Sequence, residues 1–161
     1  MMSTEELLNG LPAEGTLRFF ATFARFEFAM KQCGYLRYAG KGRIAEACRQ
    51  KLRDALPTNF FDMVRDAQTA TTLISRPPKN LFAQGEAIPE FGEQSPALTT
   101  TTQLLNAVWQ VRNNLFHGNK MYPADRERDV ALMGNSLAVI DAVMQPEKNV
   151  SSAFHDPQQF F

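Results

Sequence analysis

Large apolar side chains recur at helical spacing near the start of the chain, and this periodicity most restricts the possible folds. Four of them stand at intervals of four, three and four residues, namely Phe19, Phe23, Phe26 and Met30. Such spacing places all four on one face of an α-helix. Further apolar residues between them widen this face. We therefore expect a helix from about residue 16 to 34 at the centre of the fold.

Four later segments also have the composition and period of helices. They cover approximately residues 43–56, 58–74, 98–118 and 124–144, and each is followed or ended by Pro or Gly. No segment shows convincing strand alternation. The fold class predicted is all-α, an antiparallel bundle of about five helices.

The chain length favours a single domain. At 161 residues it is sufficient for one substantial core. Residues 1–14 are expected to be a short lead-in and residues 15–146 the helical bundle. Residues 147–161 are expected to be a polar, loose tail, whose last aromatics could still dock. Residues 76–97 hold four Pro and two Gly, which predicts a long loop of functional or mobile character.

Composition excludes several classes of protein. The acidic stretch Met1–Glu6 does not resemble a signal peptide, and no apolar run reaches membrane-spanning length. We expect a cytoplasmic protein with no membrane partner. The two cysteines, Cys33 and Cys48, and the two histidines suit neither a disulfide framework nor a structural zinc site. No metal and no cofactor is expected.

Charge is distributed unevenly along the chain. The net charge is zero, so there is no global nucleic-acid signature. Residues 31–53, however, carry seven basic side chains against one acidic one. Such a cluster either follows a phosphate backbone or is a solvated helix face. The candidates for RNA binding are Lys41, Arg43, Arg49 and, further along, Lys120.

The most suggestive chemistry lies at the end of the fourth predicted helix, in the stretch VRNNLFHG at residues 111–118. Arg112 falls within the apolar arc of that helix, where a charge must be paired or must line a pocket. Arginine can hold phosphate oxygens through its planar fork, and His117 can exchange protons near neutral pH. Positions five apart are separated by about 140° around a helix. A groove between them requires Arg112 to reach around the helix, or a dimer.

Glu27 is the second misplaced charge, since it lies inside the aromatic run of the first helix. It pairs either with Lys31, one helical turn later, or with an arginine from another helix. Pairing with Arg112 would account for both charges.

The segment from Arg112 to His117 resembles the signature of the HEPN superfamily (higher eukaryotes and prokaryotes nucleotide-binding domains). The stretch FEFAMK at residues 26–31 is similar to a bacterial, often plasmid-borne branch of it. The resemblance implies a HEPN-like bundle that dimerises and brings two motifs together. It also implies metal-independent endoribonuclease activity, as in toxins and anti-phage effectors. Arg112 and His117 then match the catalytic pair, and Asn113 matches the polar position.

The resemblance also suggests partners. These are an RNA substrate, a second copy of the chain, and an antitoxin or regulatory protein. Some toxins of the superfamily carry a tyrosine two residues after the histidine, which a partner nucleotidyltransferase modifies. Asn119 occupies that position here, so the resemblance does not extend to this form of control.

Three hypotheses follow for function. The first is an RNA-cleaving homodimer in which Glu27 and Asn114 support the catalytic residues, and in which each subunit supplies one His117 for proton transfer. The second is an inactive module that binds a nucleotide or RNA without turnover. The third is a regulatory bundle whose Arg112–Glu27 pair only fixes the core.

Overall fold

The computed structural model of the chain describes residues 1–38, 40–116 and 125–160, with the backbone alone at Ala87 and Phe160. Within these ranges the protein is mostly helical, as expected, but eight α-helices and a small two-stranded sheet replace the five helices predicted. The helices are α1 (Thr4–Leu7), α2 (Ala13–Gln32), α3 (Arg49–Ala55), α4 (Phe60–Asp66), α5 (Thr71–Ser75), α6 (Thr101–Phe116), α7 (Arg126–Met144) and α8 (Lys148–His155). The strands are β1 (Leu81–Gln84) and β2 (Ala87–Phe91), and a 3-10 turn (Pro157–Phe160) follows α8.

Helix α2 is central to the core, as its phenylalanine spacing predicts. Phe19, Phe23 and Phe26 are each no more than 2% exposed, and the helix packs against α7 and α8. The ring of Phe23 also meets the indole of Trp109 on α6, with centroids 4.9 Å apart and planes nearly perpendicular. Gly34 follows the helix with a φ of 80°, a conformation that ends helices and that glycine adopts without strain. The aromatic face therefore joins three other helices.

The predicted fourth and fifth helices are confirmed as α6 and α7. Helix α6 buries Leu104, Leu105, Val108 and Val111 against α7 and its neighbours. Its expected end at Gly118 lies outside the described residues. Asp125 caps the first turn of α7 by accepting a hydrogen bond from the backbone N–H of Arg128 at 3.1 Å.

The second predicted helix, over residues 43–56, is wrong in its first half. The backbone N–H of Arg37 donates to the carbonyl of Glu46, and that of Cys48 to the carbonyl of Tyr35. These bonds pair the segment before α3 with the end of the preceding turn, so its backbone groups are not available for a helix. Helix α3 consequently begins only at Arg49.

The third predicted helix is two helices. Gln68 has a φ of 55°, in the left-handed region that a regular helix cannot include. The chain therefore ends α4 before this residue and starts α5 after it.

The expectation of an unstructured loop over residues 76–97 is also wrong, because this segment contains the hairpin of β1 and β2. The strands are antiparallel, with Leu81 opposite Phe91. Most of β1 is exposed, so neither face of the strand needs apolar side chains. The sequence therefore lacks the alternation of apolar and polar residues that is typical of a half-buried strand. The base of the hairpin is held by Arg128, whose guanidinium donates to the carbonyls of Arg76 and Pro77 at 2.9 and 2.7 Å.

Both terminal segments contain a helix that the sequence did not predict. Ser3 caps α1 with a reciprocal capping box. Val150 and Ala153 of α8 are fully buried in the same core as α2, so the tail predicted to be loose belongs to the bundle. No helix among the described residues has the length and apolarity needed to cross a membrane.

Candidate functional site

The two misplaced charges of the sequence meet in the structure. The guanidinium of Arg112 on α6 lies 3.3 and 3.4 Å from the two carboxylate oxygens of Glu27 on α2. Each side chain is 25% exposed. Glu27 therefore pairs with an arginine from another helix, which confirms that alternative over a local pair with Lys31.

Two further contacts fix the orientation of Arg112. Its guanidinium carbon lies 5.1 Å from the ring centre of Phe23, a cation–π distance. Its Nη1 donates to the side-chain oxygen of Asn113 at 3.0 Å. Asn113 is thus in direct contact with Arg112.

Arg112 lines a cavity of about 800 Å³ between α2, α3 and α6. One stripe of α6 forms one wall, in the order Thr102, Leu105, Asn106, Trp109 and Arg112. Its cationic lining residues are Lys31, Arg37, Arg49, Arg53 and Arg112, and its carboxylates are Glu27 and Glu46. The volume falls in the range of small-molecule sites, and the lining carries an excess of positive charge.

Both carboxylates of this cavity are already paired. Glu27 is held by Arg112, and Glu46 lies 3.4 Å from the guanidinium of Arg37. The Arg37–Glu46 pair is largely exposed and therefore contributes little to folding stability. Among the described residues of the lining, neither carboxylate forms an ion pair with a second cation.

Arg49 is the arginine of this cavity that has no ion-pair partner among the described residues. In the described part of the chain, no carboxylate lies within ion-pair distance of Arg49 or Lys31. Burial lowers the pKa of Arg49 below its ordinary value; Cys48 and Glu27 oppose this shift, and the positive charges of Arg112 and Arg37 add to it. The site is thus suited to a negatively charged ligand.

Arg49 packs on the only tryptophan of the chain. Its guanidinium carbon lies 5.4 Å from the ring centre of Trp109. The same indole contacts Phe23 and Phe26 on its core side. Trp109 therefore connects the cavity directly to the aromatic core.

The other described residues predicted to bind RNA do not line the cavity that contains Arg112 and Arg49. Arg43 lies on a second, shallower cavity of about 460 Å³ that shares Arg37 with the first, whereas Lys41 is exposed and lines neither. His117 and Lys120 lie outside the described residues.

Asn114, predicted to support the catalytic residues, is instead buried on the side of α6 that faces Pro78 and α7. Its amide donates to the carbonyl of Lys79 at 2.9 Å and accepts from Gln110 at 2.7 Å. These bonds satisfy a buried amide and tie α6 to the base of the hairpin. The support it gives is therefore structural.

Sequence reasoning missed part of the cavity wall. Arg53 stands one helical turn after Arg49, and Thr102 and Asn106 are separated by one turn on α6. The Nη1 of Arg53 lies 3.4 Å from the hydroxyl of Thr102. The four-residue spacing of the two arginines within the basic cluster was the available signal.

No group of three or more His, Cys, Asp or Glu side chains is placed to hold a metal ion among the described residues. No family model, no curated protein and no solved structure matches the chain.

Proposed function

We propose that the protein is a metal-independent endoribonuclease of HEPN type that uses Arg112, Asn113 and His117. The observation that carries this proposal is the position of Arg112. It is held by Glu27 and Phe23 and lines a cavity with an excess of positive charge. A guanidinium fixed in this way is suited to bind phosphate oxygens through its remaining N–H groups.

The chemistry assigns a role to each motif residue. Cleavage without a metal requires a base for the 2′-hydroxyl, an acid for the 5′-oxygen and a cation at the crowded phosphate. In the proposal Arg112 supplies the cation, and Asn113 adds a neutral hydrogen-bond donor. His117 carries the proton transfers. A single His117 cannot act as acid and base in the same step.

The proposal therefore includes a homodimer in which each subunit contributes one His117. It also includes a cellular role as a toxin or anti-phage effector in the cytoplasm, controlled by an antitoxin or another regulatory protein. The resemblance of residues 112–117 to the HEPN signature supports these parts.

The test is cleavage of total bacterial RNA in excess EDTA by four purified proteins. Wild type should cut, whereas His117→Ala and Arg112→Gln should lose activity by at least about a hundredfold. Arg18→Gln is the matched control, because Arg18 is an exposed arginine of α2 that does not line the cavity. The proposal fails if His117→Ala and wild type cut at equal rates.

A second function, RNA or nucleotide binding without turnover, is favoured by one observation. One chain alone forms the cavity and supplies its excess of positive charge. Binding of an anion there therefore requires no second subunit. An undiminished affinity for RNA with no product from wild type, at any protein concentration, would support this function over cleavage.

A further inference from the structure

We propose that Arg49, stacked on Trp109, binds a second phosphate of single-stranded RNA, distinct from the phosphate held at Arg112. The identity of the polymer rests on the proposed function. The phosphate site itself rests on the charges and geometry of the cavity.

The first argument is the electrostatic environment of Arg49. It is the cavity arginine that has no carboxylate within ion-pair distance among the described residues. Burial disfavours its charged form, and the charges of Arg112 and Arg37 act in the same direction, against those of Cys48 and Glu27. A bound anion offsets the cost of burial, so this position favours a phosphate.

The second argument is the contact between Arg49 and the indole. The guanidinium carbon of Arg49 lies over the Trp109 ring, 5.4 Å from its centre. A cation–π contact does not use up the N–H groups, and these groups can form two parallel bonds with phosphate oxygens.

The third argument is the shape of the wall. Arg49 and Arg53 share one face of α3 because they stand four residues apart, and α3 packs directly on α6. Thr102 and Asn106 present polar groups from the α6 side of the same cavity. This wall extends from Arg53 at one end to Arg112 at the other. A chain of phosphates therefore fits it better than a single anion.

The experiment measures binding of a 2′-O-methyl RNA hexamer, which cannot be cleaved because its 2′-hydroxyls are blocked. Trp109 is the only tryptophan, so a change in intrinsic fluorescence on binding reports from this cavity. Affinity is measured separately by anisotropy of a labelled hexamer at several salt concentrations. The proteins are wild type, Arg49→Gln, Arg49→Lys and the control Arg18→Gln.

Arg49→Gln should weaken binding by at least about tenfold and reduce the slope of log affinity against log salt by about 0.7, the value of one single-strand phosphate contact. Arg49→Lys should keep the slope and lose part of the affinity, because it retains the charge without the planar fork. Arg18→Gln should match wild type in both. Unchanged affinity and slope in Arg49→Gln would overturn the inference.

Adenosine monophosphate and inorganic phosphate distinguish the source of the anion. We expect both to bind much more weakly than the hexamer, and equal affinity would overturn the assignment to an RNA chain. The result is independent of turnover. Absence of cleavage with an intact Arg49 effect would refute the proposed activity alone, whereas cleavage without an Arg49 effect would refute only the second phosphate site.

Discussion

The Glu27–Arg112 pair should be coupled more strongly than the exposed Arg37–Glu46 pair on the same cavity. Exposed pairs contribute about 0–1 kcal/mol, and loss of one partner from a fully buried pair costs about 3–5 kcal/mol. With each side chain 25% exposed, Arg112→Gln should lower the free energy of unfolding by about 2 kcal/mol.

The two single substitutions should differ in their cost. Arg112→Gln leaves the partly buried Glu27 carboxylate without its ion-pair partner and also removes the contact with Phe23. Glu27→Gln leaves Arg112 with Asn113 and Phe23, so it should cost only about 1 kcal/mol. The double variant should be about 1 kcal/mol more stable than the sum of the single effects predicts.

Urea unfolding of the four proteins at neutral pH measures this coupling, provided that the denaturant dependence is the same in all four. Arg37 and Glu46 provide a matched control cycle, because they form an ion pair on the same cavity with side chains 62% and 51% exposed. Their coupling should not exceed about 0.5 kcal/mol. The reasoning is refuted if the two cycles give the same coupling energy.

Three further predictions concern other parts of the molecule. Asn114→Ala should lower the free energy of unfolding by about 1–3 kcal/mol, because it removes a buried amide and leaves its two partly buried hydrogen-bond partners unsatisfied. The cleavage rate per folded molecule should not change, and a specific loss of activity in a stable variant would return Asn114 to the site. Burial, and then the hydrogen bond and charge of Glu147, raise the pKa of the Tyr35 phenol above its ordinary value of 10.0. This group therefore contributes stability that is complete below pH 10 and is lost as the pH rises above it. Urea unfolding at about pH 8 and about pH 10.5 should show a smaller decrease for Tyr35→Phe than for wild type, and an equal decrease would contradict the assignment. Finally, if both copies of His117 act in one dimer, an equal mixture of wild type and His117→Ala, after subunit exchange, should retain about a quarter of the wild-type rate. Retention of half would show that each subunit acts alone.

The elements that the sequence predicts well are those with a strong apolar period. Helix α2 is defined by the phenylalanine spacing, and α6 by an apolar arc interrupted only at Arg112. The interruption was itself informative, because a charge in such an arc needs a partner, and Glu27 was a candidate for the same reason. The pairing of these two helices therefore followed from the cost of burying a charge.

The elements that were missed depend on contacts between distant segments. Helix α3 begins later than predicted because the residues before it form backbone hydrogen bonds with Tyr35 and Arg37. The hairpin base depends on Arg128, which donates to Pro77, fifty-one positions away. Helix α8 has few apolar residues, but Val150 and Ala153 pack in the same core as α2. The composition of a short segment does not indicate which distant residues it will contact.

The chemical nature of the RNA ends produced in excess EDTA tests the central claim most directly. Wild-type protein is incubated with a defined RNA, with His117→Ala in parallel, and the termini of all fragments are mapped. The account predicts 2′,3′-cyclic phosphate and 5′-hydroxyl ends from wild type alone, because the 2′-hydroxyl attacks the phosphate held by Arg112. Fragments with 3′-hydroxyl and 5′-phosphate ends, or the same fragments from His117→Ala, would contradict it.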